Sequence, residues 1–241
     1  MQLPLFGASP SSSLASRKAS RSRALADEDA WLEPGAGWGR TKTLCESTEL
    51  PEWYEAYTYV KRYYRLNYTA CDCARSLVEV HNETCNIWSH LVGCAIFGYR
   101  AAKSIVALST TVDLDELSLL AFTISAALML ACSTAYHAFH PVSRESFATW
   151  LVADKLGIAL MVGGTYVPGV WLGFRCSPLV VRFGWLAEAG ALTAIAAFIA
   201  WKRPTKRFKA VVALLVASSL APSLHWVYTS PRPVVSSGNL G

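Results

Sequence analysis

The chain has 241 residues, 53% of them hydrophobic and 16% charged, with a net charge of +5. Charge this sparse, set between long apolar runs, argues against a water-soluble domain and indicates an integral membrane protein. The positive charge is spread through the segments between those runs, and no block interleaves basic and aromatic residues in the manner of a nucleic-acid groove, so the pattern argues against a nucleic-acid partner.

Residues 1–49 form the first predicted region, a disordered cytosolic tail. Residues 1–26 are rich in Ser and Arg and carry no acid before Asp27. An organelle transit peptide has a similar composition, but nothing here marks an amphipathic helix or a cleavage site. The opening MQLPLFGASP also lacks the basic and apolar regions of a secretory signal. Residues 50–85 follow as a juxtamembrane segment. Its Trp53, Tyr54, Tyr57, Tyr59, Tyr63 and Tyr64, with Lys61, Arg62 and Arg65, suit an anchor lying at the headgroup level.

Residues 86–229 are predicted to hold five membrane-spanning helices, and residues 230–241 a polar tail. The spans are Asn86 to Leu108, Leu117 to His137, Ala148 to Phe174, Phe183 to Trp201 and Ala210 to Tyr228. Arg100 and Lys103 sit in the second half of the first span and must snorkel outward or face protein. Gly163, Gly164 and Pro168 loosen the middle of the third, which a membrane helix tolerates when its neighbours satisfy the freed backbone groups. Glu188 in the fourth is expected to pair with a neighbouring helix, and His225 in the fifth to be a satisfied polar residue beside Pro222. The seven cysteines do not read as a disulfide framework, since Cys85, Cys94 and Cys132 fall beside or inside apolar runs.

Basic residues cluster before the first span, between the second and third at Arg144, and between the fourth and fifth at Lys202, Arg203, Lys206, Arg207 and Lys209. By the positive-inside rule the amino terminus is cytosolic. Asn67 and Asn82 match the glycosylation pattern but fall on that same cytosolic side. This topology brings Ser133, His137 and His140 at the end of the second span to the depth of Asp154 at the start of the third, with His81, Glu83, Asn86 and His90 nearby. A hydroxyl, an imidazole and a carboxylate at one membrane level make a candidate functional site. Each has a plain alternative: His137 can cap a helix end, Ser133 can serve helix packing, and Asp154 can pair with Lys155 or Arg144. Glu83 and Asn86 are either a helix-start hydrogen-bonding group or part of the site.

Several runs together resemble one family. HNETCNIWSHLVG (His81 to Gly93), Ser133-x-x-x-His137, Asp154-x-x-Gly157-Ile158 with Thr165 and Pro168, and Leu220-Ala-Pro222-x-Leu224-His225 are similar, in order, to motifs of the progestin and adipoQ receptor family. That group includes the adiponectin receptors and the hemolysin III-related proteins. The resemblance implies an all-α, polytopic membrane helix bundle, with five transmembrane helices here of a seven-helix fold. It also implies zinc near the cytosolic face. His137 would be the metal ligand, while Asp154 and Ser133 take the catalytic positions, Asp154 holding the metal-bound water. The family's paired seventh-helix histidines have no counterpart here: Thr229 stands four residues after His225, so a catalytic zinc, which needs about three protein ligands, would draw on His140 or His90.

The expected function is a signalling receptor of the adiponectin/progestin receptor type in the plasma membrane or endoplasmic reticulum, with a lipid or hormone ligand and a remnant zinc site. Zinc-dependent hydrolysis of a lipid amide, as in the family's ceramidase-like members, is the alternative enzyme reading. A third reading is a shortened product with neither activity. A homo-oligomer that supplies the missing ligands stays open.

Overall fold

The computed structural model describes residues 42–54, 56–202 and 205–229; the expected tails, up to residue 41 and from residue 230, lie outside the described residues. Segment 42–49, placed in the amino-terminal tail by composition, contains β1 (Thr43–Cys45), which pairs antiparallel with β2 (Tyr64–Leu66) and sets Leu44 opposite Arg65. Positive φ angles at Tyr63 (68°) and Asn67 (60°) turn the chain sharply on both sides of β2. Asn adopts this conformation readily, whereas a bulky Tyr must be held there by its surroundings. Tyr54 and Tyr64 are buried in a small core with Cys45, flanked by Leu50, Trp53 and Leu66. This part of the juxtamembrane segment is a folded cap, because Tyr54 and Tyr64 find protein partners, while Tyr57, Tyr59 and Tyr63 stay exposed.

After the short helix α1 (Ala70–Arg75) come α2 (Thr84–Leu108), α3 (Leu114–Phe139), α4 (Arg144–Gly173), α5 (Leu179–Trp201), α6 (Thr205–Ser218) and α7 (Leu220–Thr229). Among the described residues, five helical stretches are long and apolar enough to cross a membrane, the last of them Arg207–Thr229, which spans α6 and α7. Their length and hydropathy, the signal read from the sequence, establish a polytopic helical membrane protein. Short connections make consecutive helices antiparallel neighbours: α3 packs between α2 and α4, α4 against α5, and α5 against α6, with α6 also touching α4. The start of α2, the end of α3, the start of α4, the end of α5 and the start of α6 thus share one end of the bundle, the amino-terminal face.

The α3–α4 contact is close because Gly157 lacks a side chain. A Cβ there would sit 2.9 Å from the Cα of Met129, a backbone atom that cannot swing aside. Small residues let membrane helices approach to this distance. Despite Pro168, α4 runs unbroken.

The fifth span does break. Pro222 has no N–H for the carbonyl four residues earlier, and its ring clashes with that carbonyl, so the helix ends at Ser218 and restarts at Leu220. The Ser219 amide turns to Val216 O (3.2 Å), which frees the Leu215 carbonyl. Tyr166 of α4 takes it, its hydroxyl lying 2.7 Å from Leu215 O and 2.6 Å from Ser218 Oγ. Beside Pro222, His225 is satisfied as expected, its Nδ1 accepting from Trp185 Nε1 at 3.1 Å. Glu188, expected to pair with a neighbouring helix, is instead exposed on α5. Arg100 and Lys103 lie exposed on α2, where their stems can reach the far interface.

Candidate functional site at the amino-terminal face

Glu83 is the N-cap residue of α2, yet its carboxylate caps no backbone amide of that helix. It turns inward instead, 1% exposed, to the end of α3. There Oε2 accepts from His137 Nδ1 at 2.9 Å and from Asn86 Nδ2 at 2.7 Å, while Oε1 accepts from Asn82 Nδ2 at 2.9 Å. The Tyr57 hydroxyl stands 3.5 Å away. Burial pushes the Glu83 carboxyl upward, but the hydrogen bond from His137, the charge of His140 and the Asn86 amide outweigh it and hold the group below its usual range. Glu83, Asn86 and His137 thus form one hydrogen-bonded unit.

A second anchor, absent from the sequence reading except as a surface cation, is Arg65. Its side chain is fully buried, and it donates to His137 O (2.6 Å), Ala138 O (3.0 Å) and Ser76 Oγ (3.0 Å). The last carbonyls of a helix have no internal donors and carry partial negative charge, so a guanidinium at this position closes the end of α3. The backbone of His137 is held by Arg65 from β2 and its ring by Glu83 from α2.

Two neighbouring histidines are committed elsewhere. His81 accepts the Glu83 amide at Nδ1 (3.1 Å), so its proton resides on Nε2, facing Ser76 O at 3.1 Å. Burial, reinforced by the Arg65 charge, lowers its pKa to about 4. His140, considered as a substitute ligand, is 2% exposed, because the cap closes over it. Its Nδ1 lies 2.9 Å from Tyr136 O and its Nε2 2.9 Å from the Tyr54 hydroxyl, which uses both ring nitrogens. His90 stacks on His137, with ring centroids 5.3 Å apart and planes at 25°. Its Nδ1 is buried without a hydrogen-bond partner among the described residues.

Ser133 lies one turn before His137 on α3 and is 6% exposed. Asp154, half-buried on α4, is near enough to His90 and Cys132 for its charge to act on both. It lines a groove with Lys155, Phe208 and Lys209, and no hydrogen bond among the described residues joins it to Ser133 or His137. The structure thus brings His137, Ser133 and His90 to one end of the bundle and adds Glu83 and Arg65, while Asp154 borders the cluster from the next helix.

For zinc, the chemistry of His137 fits. Its Nδ1–H is engaged by a carboxylate, the outer-shell pattern that fixes the tautomer of metal-ligating histidines, and this leaves Nε2 with a lone pair. Among the described residues, no group of three or more His, Cys, Asp or Glu side chains could hold an ion. Among them, His137 presents an imidazole oriented by Glu83.

A sequence profile described as Haemolysin-III related matches residues 78–237. The chain is 26% identical over 188 residues to Progestin and adipoQ receptor-like protein 1 of Caenorhabditis elegans, a match covering 75% of this chain and 43% of that protein. It is 31% identical over 162 residues to the Adiponectin receptor protein of Drosophila melanogaster, covering 66% and 36%. Against Progestin and adipoQ receptor family member 3 of Homo sapiens the identity is 28% over 183 residues, covering 70% and 58%. The chain therefore spans from about a third to under three-fifths of the length of these curated relatives.

Proposed function

Because the chain belongs to the Haemolysin-III related family, we propose that it is the bundle portion of a membrane signalling receptor of the adiponectin/progestin receptor type, with a zinc site at its amino-terminal face. The observation that carries this reading is the Glu83–His137 hydrogen bond, 2.9 Å long, its carboxylate 1% and its imidazole 13% exposed. A carboxylate committed to one imidazole nitrogen prepares the other for a metal. His137 Nε2 would contribute one ligand, and the remaining ligands come from outside the described residues. Bound there, zinc would supply a fixed positive charge and Lewis acidity at the membrane end. Arg65, Glu83 and Asn86 hold the His137 ring in place, and Tyr54 with His140 keeps bulk water from that side.

The amino-terminal face is assigned to the cytosol, in the plasma membrane or endoplasmic reticulum, because the connections on that side carry the basic residues. Attachment of a glycan at Asn67 or Asn82 would reverse this assignment.

The test is metal content and turnover in the longest continuous chain that contains these residues. Wild-type protein is expected to retain zinc after dialysis, and His137→Ala to lose it while keeping its helical circular dichroism. Zinc retained undiminished by His137→Ala would overturn the site. Zinc-replete protein that hydrolyses a labelled long-chain lipid amide, with turnover lost in Asp154→Ala, would overturn the receptor reading in favour of the hydrolase.

A further inference from the structure

The segment that leads into α2, residues 77–80, holds two valines outside the protein: Val78 is 88% and Val80 77% exposed. Glu79 between them turns aside, its carboxylate 3.8 Å from Lys42 Nζ. A single exposed valine is ordinary, but the backbone that carries this pair is not that of a loop made for water. Ser76 O accepts from the Glu79 amide (2.9 Å) and faces His81 Nε2 (3.1 Å). Leu77 O accepts from Trp88 Nε1 (2.8 Å), and Glu79 O from the Thr84 hydroxyl (3.1 Å), which in turn accepts from the His81 amide (2.9 Å). Solvent satisfies such groups in a hydrated loop, whereas a segment against hydrocarbon must satisfy them from within the protein.

Trp88 also fixes where this edge lies. Its ring is exposed on α2, and Val92 and Ile96, one and two turns farther on, continue the same exposed side. The other side of α2 meets α3: His90 stacks on His137, Gly93 lies against Leu130, and Phe97 packs on Phe122. Because α2 is a membrane-spanning helix, the side turned away from α3 faces lipid. The bond from Trp88 to Leu77 O therefore ties the valine edge to the lipid-facing side of α2, at the level where an indole is stable between headgroups and acyl chains.

We propose that Val78 and Val80 insert into the boundary between headgroups and acyl chains of the adjoining leaflet, so that the cap is anchored to the bilayer beside α2. The partner is the lipid itself, because the edge prolongs a lipid-facing side without interruption and its one acid is paired. An insertion of about 5–10 Å is the depth at which apolar side chains of interfacial segments come to rest. Val80 lies three residues before Glu83, so the same contact steadies the segment that carries the carboxylate on His137.

The test places an environment-sensitive fluorescent amino acid at position 78 of the full chain, by stop-codon suppression, and reconstitutes the protein in phosphatidylcholine nanodiscs, which leave both faces open. Phosphatidylcholine brominated near the carboxyl end of its acyl chains is expected to quench the probe more than lipid brominated near the methyl end, and aqueous iodide is expected to quench it least. Val80→Asp, which adds an unpaired charge to the edge, is expected to lower the lipid quenching and raise that by iodide, with the helical circular dichroism unchanged. Strong iodide quenching without lipid quenching in the otherwise unaltered chain would overturn the proposal, since the edge would then face water. Protection from both quenchers would overturn it too, because protein would then cover the valines. So would lipid quenching undiminished in Val80→Asp, since α2 alone would then place the probe.

Discussion

Arg65 shows how much one side chain can fix. Its three donated hydrogen bonds tie β2 to the end of α3 and to Ser76, all out of water. Charge-assisted bonds of this kind contribute roughly 1.5–3 kcal/mol each, and their acceptors would be left buried and unsatisfied. Arg65→Met is therefore expected to destabilise the cap by about 3 kcal/mol or more, read as faster amide exchange over residues 64–84 while the distant half of the bundle stays protected. His81 adds a pH dependence. Its pKa falls from 6.5 in the unfolded chain to about 4 in the fold, so between these values the unfolded state binds more protons and stability falls with pH. Glu83, also held low, acts in the same direction at still lower pH. The cap is expected to loosen progressively as pH drops from about 6.5 to about 4, by an amount on the order of 2 kcal/mol, and His81→Gln is expected to flatten that profile. Cysteine labelling offers a check on the same packing: Cys71 is exposed, whereas Cys73 is buried, with its thiol pushed up to about 11 by that burial. Maleimide is expected to modify Cys71 rapidly and Cys73 only after the cap is denatured. None of these roles for Arg65, His81 or Tyr54 was legible in the sequence. A Tyr- and Arg-rich segment has one composition whether it lies on lipid or on protein, and the choice is made by the partners that α3 presents.

Among the elements, α4 carries the most constraint, packed against α3, α5 and α6. Gly157→Leu would drive a side chain into the backbone at Met129 and is expected to cost about 1–3 kcal/mol by separating α3 from α4, seen as a lowered unfolding midpoint. The five apolar spans were readable from length and hydropathy because a membrane helix must be apolar over nearly its whole length. The interruption at Ser218 was foreshadowed only by Pro222. Pro222 marks the break in the sequence, but the neighbour, Tyr166, that takes over the Leu215 carbonyl does not show there. Glu188 lies exposed, and hydropathy places an acid at depth without saying which way it faces.

For the molecule as a whole, the shared end of α2, α3, α4, α5 and α6 decides everything that follows. Antiparallel helices with short connections return the chain to the same face, which brings the end of α3 with His137 to the start of α4, while Asp154 lies farther along α4, near Cys132. The partnership of Glu83 with His137 required the structure: 54 residues separate them, and a helix-start acid ordinarily serves its own helix. In the proposed site this carboxylate prepares His137 for zinc. The most direct measurement is the zinc affinity of Glu83→Gln beside wild type, in the longest chain carrying the site, with circular dichroism confirming the fold. Loss of a carboxylate partner of this kind is expected to weaken zinc binding about 10- to 100-fold. An affinity equal to that of wild type in a folded Glu83→Gln protein would contradict the account.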